Sequence, residues 1–227
     1  MRGNYGLQNK YGGLASYLIG LFLLTIGIAI SIKSSLGISP VSSIPYTVQL
    51  IAGIDIGIAT IIYHAILAIV QFLILRKQFN PFNFIQILVG VVFGFLTTFS
   101  KSIFIPILPD PTGNIALQFI YLIISTVIVA FGLFFYVPAE IMPIAVEGTI
   151  LAISQKVKGS FSTVKIIFDS CSVVISLVLC LIFLHSLGSV GIGTVISAII
   201  IGMELKFLNK KIGHKRDKIL KHKKHAK

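Results

Sequence analysis

Apolar residues in this chain fall in long unbroken blocks, not in the short alternating runs of a sheet protein. Six blocks stand out, at residues 14–32, 54–75, 84–100, 115–136, 160–184 and 189–207. A helix needs about 20 residues to cross a hydrocarbon core about 30 Å thick, and each block is near that length. Breakers separate them: the Ser-, Gly- and Pro-rich run at 33–45, a turn with Asn80, Pro81 and Asn83, and a loop at 101–114 with Pro106, Pro109 and Pro111. Two shorter helical segments, at 45–52 and 143–155, lie between the first and second blocks and between the fourth and fifth. The pattern predicts an all-α polytopic membrane protein with six transmembrane helices. Its single membrane domain covers residues 14–208, after an N-terminal segment 1–13 and before a basic tail 209–227. The first block is too long for the 7–15-residue core of a signal peptide and no Ala-x-Ala follows it, so it reads as a span.

Composition agrees. Only 11% of residues are charged and 56% are hydrophobic, with a mean hydropathy of +0.98, where a soluble domain carries about 25% charged residues. The net charge of +12 suggests nucleic acid until its location is seen: ten of the nineteen Lys and Arg lie at 206–227, behind the last apolar block. That is a juxtamembrane tail suited to anionic lipid, with no nucleic-acid partner expected. Arg76, Lys77, Lys156, Lys158 and the tail share one side of a six-span topology. The bias of basic residues to the inside then places both termini in the cytoplasm.

The chain matches itself at an offset of about 105 residues, Ile61-Ile62-Tyr63-His64 against Ile166-Ile167-Phe168-Asp169. In each half a long helix ends in a proline-containing break, a short helix follows, and a glycine precedes the next long helix. The expected plan is two inverted three-helix repeats, about 14–101 and 115–208, each with a short broken or re-entrant helix. Such repeats place binding sites at the midplane, between discontinuous helices.

Ionisable residues in the spans mark the candidate site, because burying them in a bilayer costs several kcal/mol unless protein or water receives them. Asp169 lies nine residues beyond Ser160, about 13 Å along a helix, close to mid-bilayer depth. His64, the repeat equivalent, reaches the same depth from the opposite face and is expected to meet Asp169 as a pair able to hold a proton or polar ligand. Lys165 lies one turn from Asp169 on the same helix face, either as a ligand or snorkelling to the headgroups. Glu147 sits at the start of the second short helix, where a helix dipole alone also explains a carboxylate. Gln49 adds a polar group from the first short helix, and Ser43, near the repeat counterpart of Glu147, adds one just before it. Glu204 is expected to pair with Lys206, and Gly90, Gly94, Gly191, Gly193 and Gly202 to permit close helix packing. Cys171 and Cys180 fall about 180° apart on one helix, so they do not pair with each other. No cluster has metal spacing, and GxSxG, HExxH and P-loop motifs are absent. Neither a cofactor nor an enzyme activity is expected.

Several stretches carry a family likeness: Leu36-Gly37-Ile38-Ser39-Pro40, Pro138-Ala139-Glu140, Glu147-Gly148, the run from Phe161 through Asp169, and Val190-Gly191-Ile192-Gly193-Thr194-Val195. Through them the chain resembles the YczE/YyaS/YitT group of bacterial integral membrane proteins. The resemblance implies a multi-pass protein of the bacterial inner membrane and assigns no chemistry. From the residues, the expected function is a small secondary transporter or permease for a small polar or cationic solute, proton-coupled through Asp169 and His64. The alternative is a non-transporting membrane partner, such as a substrate-binding subunit or a regulator of another membrane complex.

Overall fold

The structure is a computed structural model that describes residues 10–220; the N-terminal residues 1–9 and the end of the basic tail, 221–227, lie outside the described residues. Eight α-helices follow in order: α1 Lys10–Ser34, α2 Pro40–Ala52, α3 Ile56–Leu75, α4 Ile85–Ile107, α5 Ile115–Tyr136, α6 Ala145–Val157, α7 Phe161–Leu184 and α8 Ile192–Leu220. No strand occurs among the described residues. Six of the helices, all but α2 and α6, are long and apolar enough to cross a membrane.

Burial is distributed as a bilayer requires. Ile58, Ile62, Ile66 and Leu73 on α3, Phe95 and Phe99 on α4, and Val195, Ile199 and Met203 on α8 all point outward. Thr25, His64, Gln71, Gln86, Thr97, Ser100 and Ser176 are buried. An apolar exterior around hydroxyls and amides that find partners inside is the arrangement lipid selects, because hydrocarbon offers no hydrogen bonds.

Helix α1 packs along α5 through the middle of the molecule. Gly20, Gly27 and Gly132 set that distance: a Cβ on Gly20 would come within 2.5 Å of the Tyr136 nitrogen, and one on Gly27 within 2.4 Å of Val129. Around this axis the contacts are reciprocal. Helix α1 touches α4 as α5 touches α8, and the short helix of each half lies against the other half, α2 on α7 and α6 on α3. One pair breaks the pattern. Helices α3 and α4 pack closely, whereas α7 and α8 scarcely touch.

Small residues explain part of the difference. A Cβ on Gly94 would fall 2.6 Å from the Gly57 carbonyl, and one on Gly90 would fall 2.8 Å from His64. On α8, Gly202 has open space where its Cβ would be, so the expectation that it serves close packing is corrected.

The two short helices start and stop for local reasons. Helix α2 begins at Pro40, five residues earlier than the sequence pattern suggests, because proline suits a first helical position where no N–H bond is needed. It ends at Gly53 in the left-handed conformation, φ 69°, whose N–H donates to the Gln49 carbonyl at 2.9 Å. Helix α6 enters after Pro143 with Glu147 in its first turn. Gly37, at φ 103°, is another position where the backbone favours glycine. It bends residues 36–38 against residues 189–193, where Ile38 N–H donates to Ser189 O at 3.1 Å and Gly193 N–H to Leu36 O at 2.7 Å.

Helix α1 runs a little past both of its expected ends, and two spans far exceed their expected C-terminal ends. Helix α4 continues to Ile107 with Pro106 in its last turn, bringing Lys101 to Asp55 at 3.2 Å. Helix α8 continues to Leu220, so part of the basic tail is helical. At 29 residues it is about 43 Å long, longer than the hydrocarbon core. Arg216 holds this extension by donating to the Phe134 carbonyl at 3.0 Å and to Asn209 Oδ1 at 2.7 Å, with its guanidinium 4.4 Å from the Phe134 ring centre.

Candidate functional site

The loose α7–α8 contact leaves space inside the molecule. A cavity of about 230 Å³ opens there, with Asp169, Lys165, Glu147, Ser42 and Ser197 among its walls and Leu24, Phe93 and Ile201 on its apolar sides. A second cavity of about 550 Å³ lies beyond it, lined by Tyr17, Tyr136, Glu140, Met142, Phe161 and others. Leu133, Glu147, Lys165 and Leu205 line both. Glu147 and Lys165 therefore stand where the two spaces meet.

Each side chain is placed by its own helix. Ser160 caps α7, its Oγ accepting from Thr163 N–H at 3.1 Å. Two turns later Lys165 Nζ lies 3.0 Å from Asp169 Oδ2, an i,i+4 pair whose side chains are 37% and 21% exposed. Asp169 Oδ1 is buried without a hydrogen-bond partner, so half of the carboxylate is uncommitted. Glu147 comes from the first turn of α6 and accepts a hydrogen bond from the Tyr136 hydroxyl at 2.8 Å. The same hydroxyl accepts from Ile144 N–H at 2.6 Å. Tyr17 donates to the Met142 carbonyl at 2.8 Å and lies against Tyr136, ring centres 5.4 Å apart. The entry of α6 is thus pinned by two tyrosines from the α1–α5 pair.

From its other side α6 is held by amides. Gln71 Nε2 donates to Gln86 Oε1 at 2.9 Å and to the Ala145 carbonyl at 3.1 Å. A Cβ on Gly148 would fall 2.5 Å from Gln86 Oε1 and 2.8 Å from Gln71 Oε1. Thr149 adds a bond to the Leu67 carbonyl at 3.3 Å.

The structure brings Glu147, Lys165 and Asp169 together and places the other three sequence candidates elsewhere. His64 is buried on α3 between Gly90 and Phe93, its ring stacked on Phe93 at 5.8 Å, with Nδ1 unpartnered. It lines neither cavity and makes no bond to Asp169. The expected pair does not form because His64 turns toward α4, where the absence of a side chain at Gly90 leaves room for the ring. Gln49 sits near the end of α2 with Oε1 unpartnered and lines neither cavity. Ser43 donates to the Pro40 carbonyl at 2.8 Å and accepts from Ser176 at 3.0 Å. Glu204, expected to pair with Lys206, instead accepts from Thr126 of α5 at 3.3 Å.

Ser43 belongs to a hydroxyl cluster between α2 and α7. Thr47 and Ser189 are 2.5 Å apart, and Cys180 Sγ lies 3.7 Å from Thr47 and 3.6 Å from Ser189. Along α7 this cluster falls after Asp169 and before Leu184; along α2 it falls between Ser42 and Leu50. Leu184, Leu50, Tyr46 and Ser31 line a third cavity, of about 370 Å³. The cluster therefore stands between that space and the one around Asp169. Sequence reasoning missed Tyr17, Tyr136 and the Gln71–Gln86 clamp. Tyr136 lies directly before a helix-ending proline segment, where an interfacial role is the default for tyrosine.

Comparison with known proteins adds kinship without chemistry. The profile of a family of unknown function, DUF6198, matches residues 12–210. The uncharacterized protein YyaS of Bacillus subtilis (strain 168) is 25% identical over 191 residues, covering 83% of this chain and 88% of that protein. No solved structure matches.

Proposed function

The chain belongs to the DUF6198 family, whose function is unknown, and from its own geometry we propose a small secondary transporter of the bacterial cytoplasmic membrane. It would move a small polar or cationic solute through a site at Glu147, Lys165 and Asp169. The observation that carries this reading is the sequence of spaces along α7. Two cavities share Glu147 and Lys165 as wall residues, and along α2 and α7 the Ser43–Ser176 bond, with Thr47–Ser189 beside it, falls between Asp169 and a third cavity. A polar site with cavities on one side and a hydrogen-bonded cluster on the other fits one state of an alternating-access cycle.

The reciprocal contacts, α2 on α7 with α6 on α3 and α1 on α4 with α5 on α8, support two inverted repeats. With the basic residues inside, the larger cavity faces the cytoplasm and the hydroxyl cluster closes the outer side. Proton coupling through a His64–Asp169 pair is not part of this reading, since the two residues do not meet.

The test is solute uptake by purified protein in liposomes, screened over small amines, amino acids and polyols. Asp169→Asn and Glu147→Gln are expected to fold and to lose uptake. Uptake unchanged in both variants would remove the site, and no uptake of any class by the wild type would remove the transporter reading.

A further inference from the structure

The charge balance at the paired cavities runs against that of the whole chain. Seven Asp and Glu stand against nineteen Lys and Arg overall. Yet among the described residues Glu140, Glu147 and Asp169 line the two spaces with Lys165 as their only Lys or Arg. Lys165 forms an ion pair with one of these three acidic groups, Asp169.

The remaining walls are largely apolar. Leu133, Leu151, Ile144 and Leu205 offer no hydrogen bonds, and the polar residues that line both cavities are Glu147 and Lys165. Such a site takes a ligand with a charged end and an apolar body. An anionic end would meet the carboxylates, so the end is a cation.

Lys165 already supplies one. Its ammonium touches Asp169 Oδ2 at 3.0 Å while its side chain stays 37% exposed and lines both cavities. A lysine is a point charge with three donors on a flexible stem, so it can leave one carboxylate oxygen for another at small cost. A carboxylate has about four acceptor positions, and Asp169 Oδ1 uses none.

We propose that the paired cavities bind a primary or secondary amine with an apolar body, and that Lys165 is its built-in competitor. The Lys165 ammonium holds the place on Asp169 that the ligand's ammonium takes when bound. This rests on the paired cavities being a solute site and does not require transport.

The experiment uses the full-length protein in nanodiscs and three probes matched in size: n-hexylamine, hexanoate and hexanol. Thermal shift and calorimetry against empty nanodiscs read binding. The wild type is expected to bind hexylamine, with hexanoate and hexanol indistinguishable from empty nanodiscs. Lys165→Met, which keeps the apolar stem, should bind hexylamine about two- to fivefold more tightly, the effect of removing a partly exposed competing ion pair. Asp169→Asn should lose the binding.

Hexanoate binding that Lys165→Met abolishes would overturn the proposal by making Lys165 a ligand for anions. Weaker hexylamine binding by Lys165→Met would overturn it too, as would equal binding of amine and alcohol that ignores Asp169→Asn. If Lys165→Met does not fold, the wild-type ranking of the probes and the loss of hexylamine binding in Glu147→Gln decide. Hexylamine binding without uptake of any solute class ends the transporter reading and leaves this inference standing. Uptake of a carboxylate that depends on Lys165 does the reverse.

Discussion

The Tyr136 hydroxyl serves two masters, donating to Glu147 Oε2 at 2.8 Å and accepting from Ile144 N–H at 2.6 Å. Through that one oxygen, the end of α5 sets both the entry of α6 and the orientation of its carboxylate. Tyr136→Phe keeps the ring contact with Tyr17 and removes both bonds. An unsatisfied buried donor or acceptor costs about 1–3 kcal/mol. Chemical unfolding in mixed micelles should show a loss of that size, with Glu147→Gln less affected because an amide oxygen still accepts. Equal stability for Tyr136→Phe and wild type would show that water replaces the hydroxyl.

Gly148 and Gly202 make a matched pair. A methyl group at Gly148 meets the side-chain amide oxygens of Gln86 and Gln71, whereas one at Gly202 meets nothing within 4 Å. Gly148→Ala is expected to cost about 1–3 kcal/mol, the usual range for overpacking a filled interior. Gly202→Ala should be neutral or slightly stabilising, since alanine is the better helix former. Thermal midpoints of the two purified variants check both; a reversed order would contradict the packing of α6 against the glutamine clamp.

Asp55 gives the fold a pH dependence at its α3 end. Partial burial alone would push its carboxyl up, but the Thr98 hydroxyl, the Gly57 N–H and the Lys101 ammonium together hold it below the ordinary aspartate value. A carboxyl held lower in the folded state stabilises above its unfolded value, about pH 4, and this stability fades as pH falls through the folded value. Thermal midpoints measured from pH 6 down to pH 3 should fall more steeply in the wild type than in Asp55→Asn. Parallel curves would mean that Asp55 is equally solvated in both states.

Cys180 reports on the seal between α2 and α7. It is fully buried beside Thr47 and Ser189, while Cys171 is exposed and is replaced by serine for this measurement. Thr47→Val removes a hydroxyl pair of about 1 kcal/mol, enough to raise the open population roughly fivefold. Maleimide labelling of Cys180 should quicken by that factor. An unchanged rate would mean that the cluster does not open as a unit.

Arg216 ties the helical extension of α8 to α5 through its bond to the Phe134 carbonyl and its stacking on the Phe134 ring. Arg216→Lys keeps the charge and loses the planar fork and the stacking. Trypsin should then cut faster between residues 209 and 220, with the spans still protected. Equal cleavage rates would place the attachment elsewhere, for example in the buried Leu220.

The spans were legible because a bilayer demands long apolar helices, and the run 115–136 coincides with α5 to the residue. Length and polarity also marked the two short helices and the charged stretch of α7, and Lys165 with Asp169 follows from helical spacing alone. The sequence could not decide which way a buried side chain turns. His64 and Asp169 share a repeat position and a depth, but Gly90 drew the imidazole toward α4, and the gap between α7 and α8 left Asp169 facing a cavity. Periodicity locates a residue along its own helix; its neighbours depend on how closely helices approach, which small residues on both partners settle together. Nor could hydropathy distinguish glycines that bring α3 and α4 into contact from Gly202, which touches nothing. Tertiary structure alone joined Glu147 to the Lys165–Asp169 pair, because α6 reaches that point by packing across the halves, and no local pattern in the chain records such a contact.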